Sequence, residues 1–343
     1  VWTVKELLES GRFQSYFGDY QAAAGFLPFT YNQGRAAGVR AVDVITGGGL
    51  RYTVLQDRAM DIGRAEFFGI PLDFRSPVGV CHPAFYEPEG NRWLYTFGGG
   101  LLTTCGLTQV GAPSLDEGEE LGQHGRISHV AAEDCWHRLQ EGERPVLELG
   151  GTMREAKMLE YHLRLQRVLR SPVGENRISV QDRVTNLGPA PIPHMILYHV
   201  NVGHPLLDQG SVLEGTFQES RPRDETAAAE GGAWHLYQGP TDDYPDRAFY
   251  HRVQTGEDGL ASASLTNKQL GLRLTVQFEA ANLPWLVQWK HTRSGMYAAG
   301  LEPANCLVGG RNEERNAGRL RYLEPGSSLD YRVDIAVQWL GCP

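Results

Sequence analysis

The stretch Tyr161-His-Leu-Arg-Leu-Gln-Arg-Val-Leu169, YHLRLQRVL, alternates with a period of two. Tyr161, Leu163 and Leu165 fall on one side and His162, Arg164 and Gln166 on the other, until the pattern weakens past Gln166. A pleated strand sends successive side chains to opposite faces, so the stretch predicts a sheet with one buried and one more polar face. The same reading extends outward: PVLELGGTMRE precedes it, and NRISVQDRVTNLG and IPHMILYHVNVGHPLL follow. VRAVDVIT (Val39 to Thr46) and GLRYTVLQ (Gly49 to Gln56) open the β succession, which AFYHRVQT, LGLRLTVQFE, PWLVQWKHT, GMYAAGLEPAN and LDYRVDIAVQWL continue.

Helical periods are scarce, apart from a short helix predicted around Thr3 to Leu8. The 41 glycines and 19 prolines imply many turns, and the polar segment from Glu214 to Asp246 reads as a loop or an insertion. No short repeat supports a propeller or solenoid. The expectation is therefore all-β, with two large antiparallel sheets packed as one extended sandwich over residues 38–343 and an N-terminal extension over residues 1–37.

The bulk composition narrows the function. With 32 Lys and Arg against 41 Asp and Glu, the net charge of -9 disfavours nucleic acid as the main partner. No run approaches the eighteen or so apolar residues needed to span a bilayer, so no membrane partner is expected. Cys81, Cys105, Cys135, Cys306 and Cys342 form neither a CxxC pair nor a dense disulfide pattern. Together with an N-terminus that lacks the pattern of a signal peptide, they predict a cytoplasmic protein. The three glycines of LYTFGGGLLTTCGL (Leu94 to Leu107) suggest close backbone approach rather than a phosphate loop, because no GK[ST] ending accompanies them.

Three separated places carry chemistry. In MILYHVNVGHPLL (Met195 to Leu207) strand geometry puts Met195, Leu197, His199, Asn201 and Gly203 on one face and Ile196, Tyr198, Val200 and Val202 on the other. The second is the predicted core face, so His199 projects beside Asn201 into a candidate cleft. In GQHGRISHV (Gly122 to Val130), His124 sits in a flexible polar context and Gly125 permits tight backbone approach. In GLEPAN (Gly300 to Asn305), Glu302 follows an apolar strand and precedes a proline, where a carboxylate can act as a base at a sheet opening.

With those residues in that order, the chain resembles the aldose 1-epimerase, or galactose mutarotase-like, superfamily, and especially its divergent bacterial branches, over about residues 35–340. His124-Gly125 looks like the family's substrate-binding histidine motif, Tyr198 to Asn201 places His199 at its general acid, and Leu301 to Pro303 places Glu302 at its general base. The familiar asparagine-rich context of the first histidine is absent, and Tyr198-His199 stands where the family has NH. The resemblance implies a galactose-mutarotase-like β-supersandwich and an isomerase that interconverts the anomers of a small sugar by acid/base-assisted ring opening and closure, with no cofactor.

Sugar recognition needs a polar perimeter and an apolar platform. Arg58 and Asp61 of DRAMDIG, with Asn201, are candidates for hydroxyl contacts, and Trp285, Trp289 and Tyr297 for the platform. Lys290 and His291 add positive charge, which admits an acidic or phosphorylated sugar, although adjacent strand residues face opposite ways. Other functions stay open: a carbohydrate lyase or sugar isomerase on the same fold, or a protein that binds carbohydrate without turnover. A catalytic metal is not expected, since His124, His129, His199, His204 and Glu302 form no HExxH or other compact metal signature.

Overall fold

The alternating stretch lies at the heart of an eight-stranded sheet. Strand Tyr161–Pro172 pairs with Val146–Lys157 on one side and Arg177–Asn186 on the other, and Ser328–Trp339, Leu272–Glu279, Leu260–Asn267 and Val212–Gly215 follow in that order. The computed structural model describes residues 3–341; Val1, Trp2, Cys342 and Pro343 lie outside them. A second sheet of twelve strands runs Gly25–Thr30, Arg40–Ile45, Leu50–Leu55, Asp61–Phe67, Leu102–Leu107, Ile192–Val202, Met296–Ala304, Trp285–Arg293, Arg247–Val253 and Phe217–Pro222, with two short strands pairing off that path. The ladders joining these strands are antiparallel, giving the sandwich of two large antiparallel sheets that the alternation predicts.

The core fills the space between the sheets. Leu147, Leu163, Leu165, Val180, Val276 and Val333 of the eight-stranded sheet meet Ile62, Leu102, Ile196, Tyr198, Val200 and Leu301 of the other. Ile196, Tyr198, Val200 and Val202 thus form the core face of their strand, as the alternation predicts. Met195 and Leu197, on the opposite face, join a second apolar cluster with Trp93, Phe97, Tyr250 and Val287.

Where the pattern of YHLRLQRVL weakens, Arg167 occupies a buried-face position with no exposed surface. It is paired on every side. Its guanidinium donates to both carboxylate oxygens of Asp182 at 2.8 and 2.7 Å, to Asp61 Oδ1 at 3.0 Å, to the Ala59 carbonyl and to Thr104 Oγ1. The Tyr198 hydroxyl donates to Asp182 Oδ2 at 2.7 Å. Because Asp61, Thr104 and Tyr198 belong to the twelve-stranded sheet and Arg167 and Asp182 to the other, the network ties the two layers together.

The N-terminal segment holds helix Val4–Glu9, closed by a capping box between Thr3 and Glu6, and strand Gly25–Thr30, which forms one edge of the large sheet. The polar segment folds as well. It supplies strand Phe217–Pro222, helix Glu225–Ala228 and the turn Gly231–His235 at the other edge. Lys290 fastens that turn from the sheet, its buried ammonium donating to the Glu230 carboxylate and to the Leu236 carbonyl at 2.6 Å.

Candidate active site

Ladder register brings the separated motifs together. Asn201 pairs with Gly300 and Val200 with Leu301, so His199 lies directly across from Glu302. On the flanks, Thr103 stands opposite His199 and Val287 opposite Glu302. His199 Nε2 and Glu302 Oε1 are 3.2 Å apart at the floor of a cleft of about 680 Å³. The cleft is walled by Trp93, Phe97 and Trp289 and edged by Arg221, Arg223 and Asp246.

Two glycines shape this floor. A Cβ on Gly300 would sit 2.2 Å from Glu302 Oε1 and 2.9 Å from Trp289 Cβ, so its missing side chain is the space into which the carboxylate folds. At the second position, Gly125 (φ 71°) turns the chain beside the Gly106 carbonyl, which a Cβ would meet at 2.3 Å. His124, itself at φ 58°, is thereby carried to the cleft wall, with ring centres 4.7 Å from Trp93 and 5.9 Å from His199. Its Nδ1 accepts a long hydrogen bond from the Gly111 N–H, which leaves Nε2 as the proton-bearing nitrogen.

The electrostatics follow from burial. His199 is 6% exposed and Glu302 2%, and loss of water disfavours the charged form of each. The His199 imidazole is pushed down to about 4, with Asn201 acting in the opposite direction. Burial raises the Glu302 carboxyl well above the usual carboxylate range. His124 falls to about 3, through burial and then the neighbouring His199. A neutral imidazole facing a protonated carboxyl is the proton tautomer of an imidazolium facing a carboxylate, so the pair holds one transferable proton at zero net charge.

Four polar atoms here are buried without a hydrogen bond: His199 Nδ1, Asn201 Oδ1, His291 Nδ1 and Glu302 Oε1. Although Nε2 and Oε1 approach closely, they are not aligned for a ring N–H to donate to the carboxylate. Such orphans are costly in a packed interior, and Glu302 Oε1, whose residue lines the cleft, is open to a partner from outside.

Several residues picked out in the sequence go elsewhere. Arg58 gives its guanidinium to the carbonyls of Ser128, Cys81 and Thr96, and Asp61 belongs to the Arg167 network. The two line a separate cavity of about 390 Å³. Lys290 points to the opposite side of its strand from Trp289, as adjacent residues must. Tyr297 donates to the Gln238 carbonyl, and Trp285 lies under the Arg252 guanidinium. Asn201 is fully buried beside His199, and the exposed His204 stands 3.8 Å from Asp208. Trp289 does line the cleft, edge-on to His199 with ring centres 5.6 Å apart.

Asp246 was not picked out from sequence. It accepts from Trp289 Nε1 at 2.5 Å and from Arg223 at 3.1 Å at the cleft edge. Its partners come from strand Trp285–Arg293 and from the turn that follows strand Phe217–Pro222, and the only local signal was a charge at the end of a polar segment. Among the described residues no group of three or more His, Cys, Asp or Glu is arranged to hold a metal, and no helix is long and apolar enough to cross a membrane.

The fold is shared with solved structures of aldose 1-epimerase and galactose mutarotase-like proteins. A protein from Klebsiella pneumoniae named as a "putative aldose 1-epimerase" is 24% identical and superposes with a TM-score of 0.86 over 92% of this chain and 88% of its own. A galactose mutarotase-like protein from Clostridium acetobutylicum is 11% identical, with a TM-score of 0.63 over 93% and 99% of the two chains. Galactose 1-epimerase from Lactobacillus acidophilus is 15% identical, with a TM-score of 0.59 over 92% and 99%. The chain itself belongs to the family described as a domain of unknown function, DUF4432, which matches residues 36–337. No curated protein matches the sequence.

Proposed function

We propose that this protein is an aldose 1-epimerase-like isomerase that interconverts the anomers of a free sugar, with His199 and Glu302 as its acid and base. The observation that carries the proposal is the facing of these two groups across one ladder at the floor of a cleft, each with an orphaned polar atom. Sugar hydroxyls are suitable partners for Glu302 Oε1. Their hydrogen bonds also favour the charged tautomer, in which the Glu302 proton has passed to His199 Nε2. The Glu302 carboxylate then takes the anomeric hydroxyl proton while Nε2 gives its proton to the ring oxygen, and the C1–O bond electrons go to that oxygen. Rotation about the C1–C2 bond of the open-chain aldehyde and reversal of the transfers close the other anomer. His124, a neutral donor through Nε2, orients the ring.

The charge inventory supports a neutral sugar. Lys290 and Arg58 are held by protein acceptors, and the cations at the cleft edge, Arg221 and Arg223, are outnumbered by Asp224, Asp246 and Glu313. A reducing, cytoplasmic setting belongs to the same proposal, supported by the free thiols of Cys81, Cys105, Cys135 and Cys306. The test is an anomer-resolved nuclear magnetic resonance screen of neutral, acidic and phosphorylated aldoses. Faster α/β exchange with no new product supports the proposal. An unsaturated uronide would reassign the site to elimination, a ketose to aldose–ketose isomerisation, and tight binding without exchange to a binding protein.

A further inference from the structure

His199 has two ring nitrogens, and only Nε2 faces Glu302. Which nitrogen carries the proton in the neutral ring decides whether Nε2 has a lone pair ready to receive one. The other nitrogen, Nδ1, is buried without a partner. Two residues along the same strand face, Asn201 has no exposed surface, and its Oδ1 is orphaned too. The amide cannot be turned over. Its Nδ2 donates to the Gly100 carbonyl and to the His199 carbonyl, both at 3.0 Å, and a flip would set Oδ1 against two carbonyl oxygens. The free end of the amide is therefore a pure acceptor beside a ring nitrogen that lacks one.

We infer that Asn201 is a positioning residue whose Oδ1 accepts a hydrogen bond from His199 Nδ1–H, fixing the tautomer that presents the Nε2 lone pair to Glu302 and the reacting sugar. One bond satisfies both orphans. The misalignment of Nε2 with Oε1 for ring N–H donation fits the same tautomer, and the Asn201 side chain favours the charged form of the imidazole, as an acceptor at Nδ1 should. Asn201, assigned to sugar hydroxyls on the sequence, thus acts through His199. The inference rests on His199 being the proton carrier proposed above, but its central test needs no turnover.

That test is the nitrogen-15 spectrum of the histidine side chains in the native protein at neutral pH, with His199→Asn identifying the signals. Protonated Nδ1 and unprotonated Nε2 are expected at His199; the reverse tautomer overturns the inference whatever the catalytic result. In parallel, Asn201→Ala should lower kcat by about 10- to 100-fold with KM little changed. Undiminished kcat in Asn201→Ala would also overturn it. Should Asn201→Ala fail to fold, the native spectrum decides alone. Absence of anomer exchange by the native protein would instead sink the proposed function and leave the tautomer result standing.

Discussion

Tyr198 and His199 are neighbours on one strand and face opposite ways into two very different polar sites. On the Tyr198 side lies the Arg167 network, in which two carboxylates, a guanidinium and two hydroxyls are matched bond for bond across the sheets. On the His199 side lie an imidazole, a carboxyl and an amide that are just as buried but leave atoms unmatched. The first site is complete within the chain, so it serves the fold. The second leaves Glu302 Oε1 unmatched at the cleft, which is the ground for proposing that it serves a ligand. Burial of polar groups does not separate structure from function in this molecule; satisfaction does.

The sharpest break of that contrast is Arg167→Met. It strands Asp61 and Asp182 in the interior, and loss of one partner from a buried ion network costs about 3–5 kcal/mol. Denaturant unfolding should show that loss, with anomer exchange per folded molecule changed far less. An unaltered midpoint would mean the network does not hold the sheets. Gly300→Ala should do the opposite. It crowds the Glu302 carboxylate out of its notch, and a misplaced base is expected to lower exchange by up to about 100-fold while the unfolding midpoint moves little. Full activity in that variant would show that the notch is unimportant.

Acidity sharpens the contrast further. The pair is competent while it holds one transferable proton, so kcat/KM should show no acid limb in the ordinary histidine range. It should fall on the acid side only near the His199 value of about 4, and on the alkaline side above the usual carboxylate range. An acid limb near 6.5 would contradict the burial argument. The smallest effect is on stability. The folded-state pKa of Glu302 is raised, so its contribution is fully present below the ordinary carboxylate value of 4.5 and is lost as pH rises through the folded-state value. Glu302→Gln removes that dependence. Its unfolding free energy should gain on the native protein as pH rises; no pH-dependent gap between the two would argue against a perturbed carboxyl.

Period-two alternation made the strands legible, and with them the core face of Ile196, Tyr198, Val200 and Val202. It could not say what Arg167 does on a buried face, because both carboxylates that answer it come from other strands. The site was legible in kind but not in arrangement. His124, His199 and Glu302 were picked out, and ladder register, which no local pattern encodes, sets His199 across from Glu302. Arg58 and Asp61 read as one polar cluster in DRAMDIG, yet each finds different buried partners once the chain turns there. Lys290 and Trp289 are adjacent in sequence and part company through the pleat alone.

The most direct test of the acid/base pair is a comparison of α/β exchange rates in the native protein, His199→Asn, Glu302→Gln and the double variant. Groups that move one proton between them act as a unit, so each single variant should lose about 10²- to 10⁴-fold and the double variant little more than either. Near-native exchange in His199→Asn, or losses that multiply in the double variant, would contradict the account.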